Sequence, residues 1–249
     1  MRPFTTAAAL VLAATLAACG GSGDSAAPPT TSATYQSACH EDGDREVTVP
    51  GPDGGEVFAV HVGAGPRAIV LIHQSGDTHC QWMATARVLA GRGVQVWAMD
   101  SSGGSGVSHP KEAFMSVPMD QEVDPVVAAA RKAGATEIVL AGASMGGTFA
   151  IAAAGRNHAV RVASLSGPGF FKGADALGAI STLTVPVLLV AADGDGDFAQ
   201  SARQLLAAGP KGQVTYLEVG GTAHGVATLS DSYQGKSIDD TFTEFLLKP

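Results

Sequence analysis

Three settings in this chain suit nucleophilic chemistry. Ser144 lies in Gly142-Ala143-Ser144-Met145-Gly146, a Gly-x-Ser-x-Gly pentad between a β-branched apolar run and an alanine-rich stretch. A serine hydroxyl is a poor nucleophile until a neutral imidazole takes its proton. His224 is placed for that task in Gly220-Gly221-Thr222-Ala223-His224-Gly225, beyond the last apolar run. Its side-chain type has an unperturbed pKa near working pH. A carboxylate is then needed to orient the ring, and Asp193-Gly194-Asp195-Gly196-Asp197 offers three. The same run invites a calcium reading, but an EF-hand loop needs Gly at its sixth position and Glu at its twelfth. Counted from Asp193 those positions hold Phe198 and Gln204, so no metal is expected.

The surrounding chain must hold these groups together. Eight short runs read as strands: Glu46 to Val49, Glu56 to Val62, Ala68 to His73, Val94 to Met99, Glu137 to Ala141, Val160 to Leu165, Val185 to Ala191 and Val214 to Val219. The first two form a hairpin turned by Pro52-Asp53-Gly54-Gly55. Continuous apolar runs such as Ala-Ile-Val-Leu-Ile suit strands covered on both faces. Helical stretches fit between them at Gln81 to Ala90, Gln121 to Ala133, Met145 to Ala154, Gln200 to Ala208 and Ile238 to Leu247. Strands alternating with helices predict an α/β fold, a mostly parallel eight-stranded sheet flanked by helices. Residues 39–249 read as one domain, with no internal repeat and no second linker. Ligands of such sheets sit beyond the carboxyl ends of the strands, where Ser144, the aspartates and His224 all fall.

Composition narrows the function. The chain of 249 residues is 45% hydrophobic with 15% charged residues, which supports a large core and excludes wholesale disorder. A net charge of −8 argues against a nucleic-acid partner, which would need a basic footprint. With 32 glycines the pentad alone is weakly specific, but a strand before it and a helix after it are the context a strained nucleophile turn requires.

With that context, the chain from about Glu46 to its end resembles the α/β-hydrolase fold family. The resemblance implies that Ser144 is the nucleophile, that an acid and then a histidine follow it in the chain, and that no cofactor is needed. The family's strand before the acid commonly ends in Gly-x-x-Asp. Ala192 stands where that Gly would be, which selects Asp195, with Asp193 and Asp197 as alternatives if the register slips. One oxyanion donor should be the N–H of Met145. The other should come from His73-Gln74-Ser75, where Gln74 replaces the Gly of the family's His-Gly, so Gln74 and Ser75 are both candidates. His73 reads as structural or site-lining, and the segment Asp100 to Ser108 as a supporting turn. No role falls to His40, His61, His79, His109 or His158. A gap of about 19 residues before Val185 is too short for the cap domain of many relatives, which points to an open site and a small ester; Phe170 and Phe171 could line it or pack in the core. Serine at the elbow argues against the aspartate chemistry of dehalogenases and epoxide hydrolases and against the cysteine of dienelactone hydrolases. The expected activity is hydrolysis of small carboxylic esters through an acyl-enzyme. The alternatives are a catalytically silent surface protein that binds a ligand or partner, and a peptide or amide hydrolase with the same triad.

The amino-terminal segment reads as an address. Arg2 precedes an apolar stretch, Ala7 to Ala18, too short to span a bilayer. Leu16-Ala17-Ala18-Cys19-Gly20 resembles the lipobox of bacterial lipoproteins, in which Cys19 takes a lipid and becomes the new amino terminus. The expected organisation is a signal peptide over residues 1–18, a Gly/Ser/Thr/Pro tether over 19–38 and a domain over 39–249, exported and lipid-anchored to the outer face of a bacterial membrane. In that oxidising setting Cys39 and Cys80 are a disulfide candidate.

Overall fold

The computed structural model describes residues 37–52, 54–102, 108 and 117–249. The expectations for residues 1–18, for Cys19 and most of the tether, and for His109 and part of the Asp100 to Ser108 turn fall outside these residues.

Strength of the parallel core comes from strands apolar on both faces. β3 (Arg67–Ile72), β4 (Gln95–Met99) and β7 (Val187–Ala192) are buried along their whole length, and β5 (Glu137–Ala143) and β6 (Arg161–Leu165) after their first residue. With β1 (Arg45–Pro50), β2 (Glu56–Gly63) and β8 (Val214–Val219) they form one eight-stranded sheet in the order β1-β2-β4-β3-β5-β6-β7-β8. β1 and β2 pair antiparallel, β2 is antiparallel to β4, and the rest of the sheet is parallel. Alternation then sends successive residues to opposite faces. On β3, Ala68, Val70 and Ile72 join one buried cluster, and Ile69 and Leu71 join the other.

Helices cover both faces. α1 (Met83–Ala90) and α6 (Ile238–Leu247) close one, with Met83, Leu89, Phe242 and Leu246 turned inward. α2 (Val123–Lys132), α3 (Met145–Ala154), α4 (Ala176–Ile180) and α5 (Asp197–Ala208) close the other. Burial of one large apolar side chain such as Phe149 or Phe242 stabilises by roughly 1.5–3 kcal/mol. α2 carries Asp124 in its first turn and Arg131 and Lys132 in its last, each favourable to the helix dipole. Ser237 caps α6 by accepting from Asp240 N–H at 3.2 Å.

The link between β6 and β7 holds no cap domain. It contains a two-residue hairpin, Phe170–Phe171 with Ala174–Asp175, and the five-residue α4. Neither element is visible as periodicity, being too short; α4 depends on Asp175 accepting from Gly178 N–H at 2.7 Å. Phe171 packs against Phe149, whereas Phe170 is 63% exposed. α5 begins at Asp197, one turn earlier than its apolar pattern suggests. Cys39 and Cys80 are joined in a disulfide that closes a loop of 41 residues. By chain entropy such a loop is worth about 4 kcal/mol. No helix of the described residues is long and apolar enough to cross a membrane.

Candidate active site

The site is built at the carboxyl ends of β3, β5 and β7. β5 leads directly into α3, and Ser144 is the residue between them, with φ 48° and ψ −116°. A side chain at positive φ costs on the order of 1–3 kcal/mol and persists only where its surroundings hold it. Here Ser144 N–H donates to Leu165 O at 2.7 Å, and Ser144 O accepts from Gly147 and Thr148 N–H at 2.9 and 3.2 Å. Close approach explains the flanking glycines. A Cβ on Gly142 would lie 2.3 Å from the Gly146 carbonyl, and one on Gly146 would lie 2.2 Å from Ile72 O. The start of α3 is thereby pressed against the end of β3, where Gln74 and Ser75 begin.

His224 and Asp195 meet squarely. His224 Nδ1 lies 2.9 Å from Oδ2 and 3.0 Å from Oδ1 of Asp195. The carboxylate fixes a proton on Nδ1 and leaves Nε2 as the basic atom. Asp193 serves elsewhere, accepting from Gly221 N–H at 3.0 Å, and Asp197 opens α5. The Asp195 side chain is 8% exposed and that of His224 is 32% exposed, so the imidazole opens to solvent while its anchor does not. Phe198 packs on the ring at 4.2 Å between centroids.

The His224 loop comes up to the Ser144 turn through its next residue. Gly225 has φ 58°, and a Cβ there would stand 3.5 Å from Ala143 Cβ and 2.3 Å from Gln74 Oε1. The loop therefore seats beside both the residue preceding Ser144 and the β3 loop. Ser144 is 9% exposed, and its Oγ has no hydrogen-bond partner among the described residues. Such bonds commonly close only around a bound substrate.

The two oxyanion candidates from the β3 loop differ. Gln74 N–H is engaged by Gln81 Oε1 at 3.0 Å, and Gln81 Nε2 in turn donates to Asp77 Oδ2 at 2.9 Å. Ser75 N–H has no such acceptor among the described residues. Met145 N–H opens α3, where a helix has no internal acceptor for it. Gln74 Oε1 is buried without a partner and packs the loop against Gly225. His73 is fully buried and ties two loops: Nε2 accepts from Ser101 N–H at 2.8 Å and Nδ1 donates to Gln74 O at 2.7 Å. Beyond it, Ser101 Oγ and Ser102 N–H donate to buried Glu122 at 2.7 and 3.0 Å.

Gln81, Phe198 and Glu122 are side chains at or behind the site that sequence reasoning missed. Only Phe198 had a local signal, its place three residues after Asp195. Tyr216 on β8 is pushed up to about 12 by burial, with Glu218 adding to the effect, so it stays neutral at working pH. Among the described residues, the group of metal-ligating side chains close enough to hold an ion is Cys39, His79 and Cys80, whose sulfurs are already bonded to each other.

Comparison with known proteins agrees with this architecture. Residues 64–209 match the family described as serine aminopeptidase, S33. No curated protein is a significant match. Among solved structures, an esterase from Pyrococcus furiosus is similar at 15% identity with a TM-score of 0.65, covering 85% of this chain and 92% of its own. A carboxylesterase from Bacillus subtilis shares 14% identity and a TM-score of 0.65, covering 87% and 96%. A serine hydrolase without lid from Xanthomonas campestris shares 18% identity and a TM-score of 0.55, covering 72% and 84%. These likenesses speak for the fold, while the family match spans more than half of the sequence. The chain thus belongs to the S33 serine aminopeptidase family of α/β hydrolases.

Proposed function

We propose that this hydrolase cleaves small carboxylic esters through an acyl-enzyme formed on Ser144. The observation that carries the reading is the two-pronged contact of Asp195 with His224 Nδ1, in a loop seated against the Ser144 elbow. His224 Nε2 takes the Ser144 proton as Oγ attacks the ester carbonyl. The oxyanion that forms is held by Met145 N–H and Ser75 N–H. The same imidazole then returns its proton to the leaving alcohol, and water repeats the sequence to release the carboxylate. Base catalysis of this kind supplies about 10²- to 10⁴-fold, and loss of one oxyanion donor costs roughly 2.7–4 kcal/mol. A site without a cap domain suits small or terminal acyl groups. The similarity to structures described as an esterase and a carboxylesterase supports the same class.

An alkyl fluorophosphonate should label Ser144 of the folded protein, and Ser144→Ala should abolish both labelling and turnover of short p-nitrophenyl esters. An unlabelled, folded protein would leave the silent binding reading in its place. The family's description favours one second reading, peptide hydrolysis; a matched panel of esters and aminoacyl amides separates the two by kcat/KM.

We further propose that the protein is exported and held to a membrane by lipid on Cys19. The net charge of −8 gives no electrostatic attraction to anionic lipid, so attachment should depend on that residue. Palmitate incorporation that survives Cys19→Ala would remove the anchor.

A further inference from the structure

Away from the catalytic rim, the start of the domain meets the end of the β3 loop through two facing dipeptides, Cys39-His40 and His79-Cys80. The ligand atoms of Cys39, His79 and Cys80 lie within 4.8 Å of one another, and His79 Nε2 stands 3.6 Å from each sulfur. His40 brings a fourth donor, its Nε2 2.8 Å from His79 Nε2. His79 is fully buried, whereas Cys39, His40 and Cys80 are half-buried and open the cluster to small molecules from one side.

The four donors have the chemistry of a tetrahedral zinc-type centre. Asp100 Oδ1 accepts from His79 Nδ1–H at 2.9 Å, and Glu46 Oε1 accepts from His40 Nδ1–H at 3.1 Å. Each carboxylate fixes the ring proton on Nδ1 and leaves Nε2 as the basic atom, which is how metal-binding imidazoles are oriented. Two basic nitrogens facing each other across 2.8 Å hold together around a positive centre, either a shared proton or a metal ion. Zinc bonds of about 2.0–2.1 Å to nitrogen and 2.3 Å to sulfur give a tetrahedral nitrogen–sulfur edge of about 3.6 Å, the spacing that His79 keeps to both sulfurs. The matching nitrogen–nitrogen edge is about 3.3 Å, so His40 backs away by about 0.5 Å on its open side. The Cα atoms of Cys39 and Cys80 are 5.6 Å apart, from which both thiolates reach one ion by side-chain rotation.

We propose that Cys39, His40, His79 and Cys80 bind one zinc-type divalent ion when the disulfide is reduced. A phosphine supplies the electron pair that breaks the S–S bond and leaves as its oxide; the oxygen comes from water, whose two protons go to the two sulfurs. The ion then displaces those protons and binds both thiolates and both Nε2 atoms. Bridge and ion exclude each other, since each uses both sulfurs. With the ion in place the start of the domain stays tied to the β3 loop, so the clasp survives reduction. The site does not depend on the reaction at Ser144.

Cobalt reads the site directly. The full chain carrying Cys19→Ala keeps Cys39 and Cys80 as its two cysteines. It is reduced with a phosphine, freed of reagent under inert gas, and titrated with Co²⁺ and then Zn²⁺ beside the oxidised chain. The reduced chain should take one Co²⁺ with the intense visible bands of tetrahedral cobalt and a thiolate-to-cobalt charge-transfer band. It should lose both as Zn²⁺ displaces the cobalt, and melt at a higher Tm with Zn²⁺ than without. The oxidised chain should show neither band. Glu46→Gln, an exposed change, should weaken Co²⁺ binding by about 10- to 100-fold, and His40→Gln by more. A reduced chain that takes no Co²⁺ with a charge-transfer band overturns the proposal, as does one that unfolds and is not restored by Zn²⁺. So does an unchanged cobalt affinity in His40→Gln, which would leave the thiolates as an ordinary chelator.

Discussion

Among the described residues, two histidines hold an aspartate at the same distance: His224 Nδ1 meets Asp195 at 2.9 Å, and His79 Nδ1 meets Asp100 at 2.9 Å. Their surroundings separate them. The side chains of His79 and Asp100 are both fully buried, and Asp100 also accepts from the His79 backbone N–H at 2.6 Å. The far nitrogen of His79 lies 2.8 Å from His40 Nε2 and 3.6 Å from each sulfur of the disulfide. His40 continues the run to Glu46 at 3.1 Å. The far nitrogen of His224 belongs to a ring still one-third exposed, on the rim that carries Ser144. A histidine–aspartate contact is thus no sign of catalysis by itself. What distinguishes the two is where the second nitrogen points: into a closed network that clasps the start of the domain, or toward an open site.

The largest effects should come from the open pair. Ser144→Ala or His224→Ala should each lower kcat by on the order of 10⁶-fold, since members of such a unit fail together. Asp195→Asn should cost about 10⁴-fold by favouring the wrong tautomer, with the thermal midpoint little changed. Steady-state ester hydrolysis with a melting curve for each variant reads both quantities. An Asp195→Asn enzyme with near wild-type kcat would erase the distinction between the pairs.

For the closed pair the expectation inverts. Asp100→Ala breaks a buried pair and should cost roughly 3–5 kcal/mol, a fall in Tm of about 6–20 °C, while the folded fraction still takes a fluorophosphonate at Ser144. The double change Cys39→Ser with Cys80→Ser should lose up to about 4 kcal/mol and likewise keep the labelling. If either variant stays folded yet loses the label, the clasp reaches the active site and the two regions are not independent.

The open pair could be reasoned from the sequence and the closed pair could not, for a physical reason. Ser144, Asp195 and His224 each follow an apolar run, in local patterns that a tight turn or a strand end imposes. β3, with Arg-Ala-Ile-Val-Leu-Ile, is legible in the same way, because burial on both faces leaves a continuous apolar stretch. The run from Glu46 through His40 and His79 to Asp100 joins residues up to 39 positions apart at single contacts, such as His40 to His79. No periodicity marks such pairing. The engagement of Gln74 N–H by Gln81 is of the same kind: it depends on a side-chain rotamer across a turn, so Gln74 and Ser75 looked equivalent until the fold was in view. Phe198 lies between these cases, since an aromatic at the second position of α5 follows Asp195 closely but its contact with His224 requires the distant loop to arrive.

His61 on β2 sharpens the comparison: it stacks on Trp97 at 4.4 Å, its Nε2 is buried without a partner, and it meets no carboxylate among the described residues. Burial, with the Arg45 guanidinium beside it, holds the His61 pKa below the usual histidine value. In the unfolded chain that side chain takes its proton at about pH 6.5. Between that pH and the lower folded pKa the unfolded state binds more protons, so acidification favours unfolding. The stability contributed by keeping His61 neutral is complete above about pH 6.5 and is lost as the pH falls through the folded value. His61→Phe preserves the stacked contact with Trp97 while removing the titrating group, so its Tm should fall less steeply than that of the wild type between pH 7 and pH 5. Parallel melting curves of the two proteins isolate His61 from the other histidines, which titrate equally in both. Identical slopes would mean that the His61 ring shares its surroundings with water, and the orphan nitrogen that distinguishes it from His79 and His224 would no longer be a buried one.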